Sequence, residues 1–166
     1  MKNKKEFVII FVCSGNACRS PIAEGILKKK LYPIFSDRIK IHSAGTLGIE
    51  NHPATPNSVS VAKEKGVDIS AHISKGITKN IVEEADLIFV MATLHRNFIV
   101  VHFPEAKDKV HLLTNFDLEQ SEQKNESVKD PIGENLKFYR RVVSHIENEI
   151  DRILPELITL IANKLS

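Results

Sequence analysis

Residues 7 to 21, Phe-Val-Ile-Ile-Phe-Val-Cys-Ser-Gly-Asn-Ala-Cys-Arg-Ser-Pro, indicate the fold of the whole chain. The first six of them form an apolar run without polar alternation, which is typical of a strand covered on both faces in a parallel sheet. A turn containing Gly15 and Asn16 follows, and both residue types tolerate a positive φ. Ser20-Pro21 then opens a helical pattern, because proline is permitted in the first helical turn. Strand, tight loop and helix together predict the first unit of an alternating α/β domain.

The same alternation continues along the chain. Apolar or alternating runs predict three further strands, over residues 38–43, 86–91 and 109–113. Apolar spacing of three and four residues, with capping residues, predicts the helices: from Ser20, from Thr55 or Asn57 to Gly66, over 78–85, over 93–102 and beyond Gly133. Pro33 is expected to end the first helix, and Pro155 to kink or break the last. The predicted fold is a three-layer α/β sandwich with a four-stranded parallel twisted sheet, helices on both faces and a binding loop after the first strand.

Length and composition agree with one domain over residues 1–166. The chain has 42% hydrophobic and 27% charged residues, and a chain of this length buries about 70% of its unfolded surface. With 23 basic and 21 acidic residues the net charge is +2, so we expect no nucleic-acid partner. No apolar run reaches the ~18 residues of a membrane helix, so we expect no membrane association. The basic start and the run at 7–12 also resemble a signal peptide, but the turn and helix that follow favour a strand.

The chain contains only two cysteines, Cys13 and Cys18. They are too few for the disulfide framework of a small secreted protein. They are also too few for a cysteine-only zinc site, and no histidine spacing completes one. We therefore expect no metal, no cofactor and a cytoplasmic location.

The loop after the first strand concentrates chemistry. In open parallel sheets ligands bind at the carboxyl ends of strands, and Cys13 ends the first strand with Arg19 six residues later. Inward-pointing loop amides and the helix N-terminus would bind an anion and favour the thiolate of Cys13, with Ser20 donating to its sulfur. Arg19 would hold two oxygens of a tetrahedral oxyanion. A nucleophilic sulfur beneath a bound phosphate predicts phosphoryl transfer through a phosphocysteine; the alternative is a cysteine that only fills the core.

Residues 12–24, Val-Cys-Ser-Gly-Asn-Ala-Cys-Arg-Ser-Pro-Ile-Ala-Glu, resemble the signature of the low-molecular-weight protein tyrosine phosphatases. The resemblance covers almost the whole chain, because the segments 42–46, 66–72 and 85–91 also match the family. Asp130-Pro131 stands where the family keeps its general acid. A signature near the N-terminus with Asp-Pro late in the chain separates this family from the classical tyrosine phosphatases, which have the reverse order.

The resemblance implies a role for each matching residue. Cys13 is the nucleophile, Arg19 binds phosphate and stabilises the transition state, and Asp130 protonates the leaving oxygen and then activates water. Without the cysteine loop, Asp130 would be interpreted as a turn or capping residue. The residues expected to bind the substrate phosphate are Ser14, Gly15, Asn16, Ala17, Cys18 and Ser20. Ser43 and His72 would support the loop together with Asn16 and Ser20. The other histidines are expected to have ordinary surface or core roles.

The implied function is hydrolysis of phosphotyrosine in proteins and of small aryl phosphates by a monomer, with inorganic phosphate as product. Ile132-Gly133 follow Asp130-Pro131 where tyrosine-specific members carry aromatic residues. Ala17 matches neither the bulky aliphatic residue usual in the family nor the threonine of the related protein-arginine phosphatases. A protein-arginine phosphatase is therefore the alternative enzyme. An arsenate reductase would need further cysteines, and none follows Cys18. A phosphate-binding domain without activity is the non-enzymatic alternative.

Cys18 allows two interpretations. It can pack beneath the loop, or it can form a disulfide with Cys13 under oxidation and so protect the nucleophile. We favour the second hypothesis because both thiols belong to one small loop. Mass spectrometry after peroxide treatment tests it, and the absence of a reversible Cys13–Cys18 bond would contradict it.

Overall fold

The apolar run near the start forms the central strand of a four-stranded parallel sheet. The structure, a computed structural model, describes residues 5–166, so the basic residues of positions 1–4 lie outside the described part. The strands are β1 (Phe7–Cys13), β2 (Ile39–Gly45), β3 (Leu87–Val90) and β4 (Val110–Leu112). Their order in the sheet is β2-β1-β3-β4, and all three neighbouring pairs are parallel. The predicted fold class and the predicted strand at 7–12 are confirmed.

Within the described residues, five helices connect and follow the strands: α1 (Arg19–Phe35), α2 (Pro56–Glu64), α3 (Lys79–Glu84), α4 (Thr93–His102) and α5 (Leu136–Leu165). Side chains of Thr55, Thr78 and Asn135 accept hydrogen bonds from backbone N–H groups at the starts of α2, α3 and α5, which satisfies otherwise unpaired donors. Short 3₁₀ turns lie at Ser36–Arg38, Pro104–Lys109 and Gln120–Glu122. None of the helices described between residues 5 and 166 is long and apolar enough to span a membrane.

The sheet is covered on both faces, as the unalternated apolar run of β1 predicts. Ile9 and Phe11 pack with α1, α2 and α5 in the larger core cluster. Ile10 and Val12 point to the opposite face and pack with α3 and α4. Because β1 is central and buried on both faces, its last residue, Cys13, is held at a fixed position at the carboxyl edge of the sheet.

Pro33 does not end its helix, and Pro155 does not break its own. α1 continues two residues beyond Pro33 to Phe35, because a proline in the last turn removes only one helical hydrogen bond. α5 continues through Pro155 to Leu165. Its apolar face is buried on both sides of that proline, at Ile153 and at Leu157. We attribute the continuity to this packing, which offsets the lost backbone hydrogen bond.

Candidate active site

The loop that joins β1 to α1, residues 13–20, forms the floor of the candidate site. Cys13 is the last residue of β1 and Arg19 the first of α1. Asn16 takes the left-handed conformation that the curl requires, with φ of 53°. Gly15 takes no positive φ, so that part of the prediction is wrong. Gly45, at the end of β2, allows close approach of the floor, since a Cβ there would lie 2.5 Å from the Ser14 carbonyl oxygen.

Asn16 is fully buried and has every polar group of its side chain hydrogen-bonded. Its Nδ2 donates to Ser20 Oγ and to Ser43 Oγ, each at 2.9 Å. Its Oδ1 accepts from the backbone N–H of Lys75 at 3.0 Å. Its backbone carbonyl accepts from Nε2 of His72 at 2.7 Å. The structure therefore brings together the four residues that were predicted to hold the loop, and adds Lys75 to them.

Cys13 is buried, and its Sγ lies 3.0 Å from the hydroxyl oxygen of Ser20. Cys18 is a separate buried thiol whose Sγ lies 3.4 Å from Thr55 Oγ1 and 3.7 Å from the Tyr139 hydroxyl. Burial, partly offset by the Thr55 hydrogen bond, raises the pKa of Tyr139, so this phenol stays protonated. Both cysteines are free thiols in this structure, and the disulfide between them stays a prediction.

Arg19 connects the floor to the segment before α5. Its guanidinium is buried and donates from Nη1 to the carbonyl of Val128 at 3.0 Å. Its Nη2 lies 3.6 Å from Oδ2 of Asp130, and Oδ1 of Asp130 accepts from the backbone N–H of Ile132 at 3.1 Å. The structure therefore places Asp130 beside Arg19, although the two residues are far apart in the sequence.

Sequence reasoning missed His95, which lies in the first turn of α4. This histidine is fully buried, and its Nε2 lies 2.9 Å from the hydroxyl oxygen of Ser14. Its Nδ1 is buried without a hydrogen-bond partner among the described residues. Burial, and then the positive charge of Arg19, lower the pKa of His95 to about 4, so the ring is neutral at pH 7. The available signal was its position just beyond β3, at the same carboxyl edge of the sheet as Cys13.

Above the floor lies a pocket of about 360 Å³. Three aliphatic side chains, which we call the rim, line its upper part: Leu47, Ile49 and Ile132. They are 66%, 38% and 57% exposed. His52 and Asp130 also line it, and no phenylalanine or tyrosine among the described residues does. The pocket therefore combines a floor made of the loop that carries Cys13 and Arg19 with aliphatic upper walls.

The part of the chain that the structure describes holds no group of three or more His, Cys, Asp or Glu side chains placed to bind a metal ion. The chemistry available at this site is that of a thiol, a guanidinium, a carboxylate and loop amides. Such a set can bind a tetrahedral oxyanion and attack its central atom with sulfur.

Comparisons with known proteins agree with this geometry. The family model described as low molecular weight phosphotyrosine protein phosphatase matches residues 8–163. A protein-arginine-phosphatase of Geobacillus stearothermophilus is 35% identical over 151 residues, which cover 91% of this chain and 96% of that protein. The low molecular weight protein-tyrosine-phosphatase Etp of Escherichia coli K12 is 32% identical over 139 residues, 84% of this chain and 86% of that protein.

A solved structure also resembles the chain closely. The YwlE arginine phosphatase from Geobacillus stearothermophilus superimposes with a TM-score of 0.83 at 33% sequence identity, covering 95% of this chain and 96% of that one. The similarity therefore extends over the sheet, the helices and the loop that carries Cys13.

Proposed function

The chain belongs to the low molecular weight phosphotyrosine protein phosphatase family, and within this family of hydrolases we propose that Cys13, Arg19 and Asp130 carry out the reaction. The observation that supports the assignment is their convergence in one pocket. The Sγ of Cys13 lies beside Ser20, and Arg19 lies 3.6 Å from Asp130. Cys13 and Asp130 both line the space that a phosphate would fill.

In the first step the Cys13 thiolate attacks phosphorus while the bond from phosphorus to the leaving oxygen breaks. Asp130, protonated at this stage, donates its proton to that oxygen. The loop amides and the guanidinium of Arg19 bind the three remaining oxygens and stabilise their charge in the transition state. The Ser20 hydroxyl donates to the sulfur and stabilises the thiolate before attack and after its release. The product of the step is a phosphocysteine and a free hydroxyl group.

In the second step water attacks the phosphocysteine, and the Asp130 carboxylate accepts the proton of that water. The phosphorus–sulfur bond breaks, inorganic phosphate leaves and the Cys13 thiolate is restored. The acid is restored as well, so the cycle balances without a metal or a cofactor.

For the substrate we propose phosphotyrosine in proteins, with phosphoarginine as the second candidate. A pocket of about 360 Å³ above the loop accepts a phosphorylated side chain. The family description supports phosphotyrosine. The second candidate is favoured by the aliphatic rim, which offers no aromatic ring for a phenyl group, and by the similarity to relatives named arginine phosphatases. For phosphoarginine the leaving atom is nitrogen, and Asp130 would protonate it in the same way.

Parallel kinetics on two peptides with identical flanks, one carrying phosphotyrosine and one phosphoarginine, test the substrate assignment. A higher kcat/KM on phosphotyrosine is the expected result, and the reverse order would replace it with the second candidate. If the protein binds phosphate tightly but hydrolyses neither the two peptides nor p-nitrophenyl phosphate, it is a phosphate-binding domain instead.

We also propose that the enzyme works in the cytoplasm as a monomer on phosphoprotein substrates. The proposed reaction needs a free thiol at Cys13, and thiols stay reduced in the cytoplasm. Light scattering during gel filtration tests the monomer, since 18.7 kDa is the mass of one chain.

A further inference from the structure

A second cavity borders residues that hold the loop but do not line the candidate active-site pocket. It has a volume of about 340 Å³ and is bounded by α1 and by residues 68–75. Its polar wall includes Glu24, Lys28, Ser43, His72 and Lys75, and its apolar wall includes Pro21, Ile69 and Ile73. None of these residues lines the pocket that contains Cys13. We call it the back cavity.

The back cavity is connected to the nucleophile through one residue. Three of its wall residues hold Asn16: Ser43 through its hydroxyl, His72 through Nε2 and Lys75 through its backbone N–H. Asn16 in turn donates to Ser20, which lies 3.0 Å from the sulfur of Cys13. A ligand that moves Ser43, His72 or Lys75 would therefore move Asn16, and with it the floor of the active site.

The acidic side of the back cavity is already engaged. The Glu24 carboxylate accepts from Ser43 Oγ at 2.5 Å and from Lys28 Nζ at 2.7 Å. Asp68, the second acidic residue of the wall, accepts from the backbone N–H of Ser70. These two carboxylates would repel a dianion more strongly than a monoanion.

The basic side has one unused donor group, the ammonium group of Lys75, which pairs with no carboxylate among the described residues. His72 donates from Nε2 to the carbonyl of Asn16, so Nδ1 of its neutral ring can only accept a hydrogen bond. Burial, followed by the positive charge of Lys75, lowers the pKa of the neighbouring His42. Lys28 of the same wall is paired with Glu24, so Lys75 is the lysine of this wall that is free to bind an anion.

From the unpaired Lys75 and the apolar wall we propose that the back cavity binds a small organic monocarboxylate, and that the occupant alters turnover through Asn16. The carboxylate contacts the ammonium group of Lys75. The apolar body of the ligand packs against the buried Ile69 and against Ile73, whose exposed side chain it shields from water. A cavity of this size accepts one small molecule and no macromolecule.

Benzoate and benzamide are matched probes, because they share shape and differ in charge. We would titrate each into enzyme whose active site is saturated with orthovanadate, and follow backbone amide resonances by two-dimensional NMR. The expected result is saturable shifts for residues 69–75 with benzoate, with a dissociation constant in the millimolar range, and none with benzamide. Equal shifts with both probes, or none with benzoate, would overturn the site.

Two lysine variants separate this cavity from general surface charge. Lys75→Met keeps the backbone N–H that holds Asn16 and removes the ammonium group, so it should weaken benzoate binding about tenfold. Lys124→Met, at an exposed lysine outside the cavity, should leave benzoate binding unchanged. Equal loss in both variants would contradict the assignment to Lys75.

Coupling to the active site has its own readout. With p-nitrophenyl phosphate as substrate, benzoate should lower kcat about fivefold in the native enzyme and much less in Lys75→Met. An increase in KM alone would show binding beside Cys13 and would overturn the coupling, as would NMR-detected binding without any change in kcat. Because the NMR titration needs no turnover, it tests the site even if the proposed reaction is wrong.

Discussion

The floor and the rim of the active site are built in opposite ways. On the floor, Asn16 is fully buried and every polar group of its side chain is hydrogen-bonded. On the rim, Leu47 and Ile132 are more than half exposed. The floor is therefore fixed by many partners, and the rim by few. We infer that the floor sets the chemistry while the rim sets the choice of substrate, so substitutions in the two regions should have effects of different size and kind.

The largest effect should follow removal of the nucleophile. Cys13→Ser should lower kcat for p-nitrophenyl phosphate by on the order of 10⁴-fold or more, because the weaker nucleophile cannot form the phosphoenzyme at a useful rate. Phosphate binding, measured by calorimetry, should persist because the loop amides and Arg19 remain. Activity at the level of the native enzyme in this variant would contradict the mechanism.

Loss of the acid at the mouth should be the next largest effect. Asp130→Ala should lower kcat on the order of a hundredfold. The loss should be greater for phenyl phosphate than for p-nitrophenyl phosphate, because p-nitrophenolate departs more easily without a proton. Asp130→Asn, which keeps the shape of the side chain, should behave like alanine. An equal loss for both substrates would argue against proton donation.

Asn16→Ala tests whether the floor depends on its hydrogen bonds. It removes three side-chain hydrogen bonds at a buried site, so we expect a loss of about 2–4 kcal/mol in unfolding free energy and about a tenfold loss in kcat. Asn51→Ala is the matched control, because Asn51 also has a positive φ, of 62°, but is exposed. Equal destabilisation by both variants would assign the effect to backbone conformation instead.

His95 should make the stability of the protein depend on pH. The lowered pKa of His95, about 4 against 6.5 in the unfolded chain, means that protonation favours the unfolded state. The free energy of unfolding therefore keeps its full value above pH 6.5. As the pH falls from 6.5 to 4, protonation of this histidine lowers it by about 3 kcal/mol in total. Urea unfolding across this range should show a steeper loss for the native protein than for His95→Gln. Identical slopes would contradict the neutral buried ring.

The smallest effect should come from the rim. Ile132→Tyr would place an aromatic ring at the mouth and should raise the ratio of kcat/KM for phosphotyrosine over phosphoarginine by about two- to tenfold. Ile34→Tyr, at a similarly exposed isoleucine in the last turn of α1, is the control and should leave the ratio unchanged. A change of kcat on both substrates by the same factor would mean that the rim acts on chemistry and not on selection.

The parts of the site that follow β1 directly could be predicted from the sequence. Cys13 ends a strand, and Arg19 and Ser20 begin the helix that follows it. Because only a short loop separates the strand from the helix, the three residues must lie close together. Ser43 and His72 were reached only through the resemblance to a family. No local pattern reveals that His72 donates to the backbone of Asn16, 56 residues away in the chain.

The remaining parts depend on loops that carry no periodicity. The rim residues Leu47 and Ile49 lie in an irregular segment after β2, so their exposure could not be predicted. His95 looked like an ordinary core residue because its partner, Ser14, comes from another part of the chain. The error at Pro155 has a similar origin, since local propensity predicts a break and only tertiary packing explains the continuous helix.

The central position of β1 has a consequence for biosynthesis. Cys13 leaves the ribosome well before Val128, but its strand pairs with β2 and β3, and the guanidinium of Arg19 binds the carbonyl of Val128, 109 residues later. During translation the nucleophile is therefore present long before the groups that complete its pocket. Contacts of such long sequence separation form late and slowly. A chain that ends before Val128 should thus lack phosphatase activity.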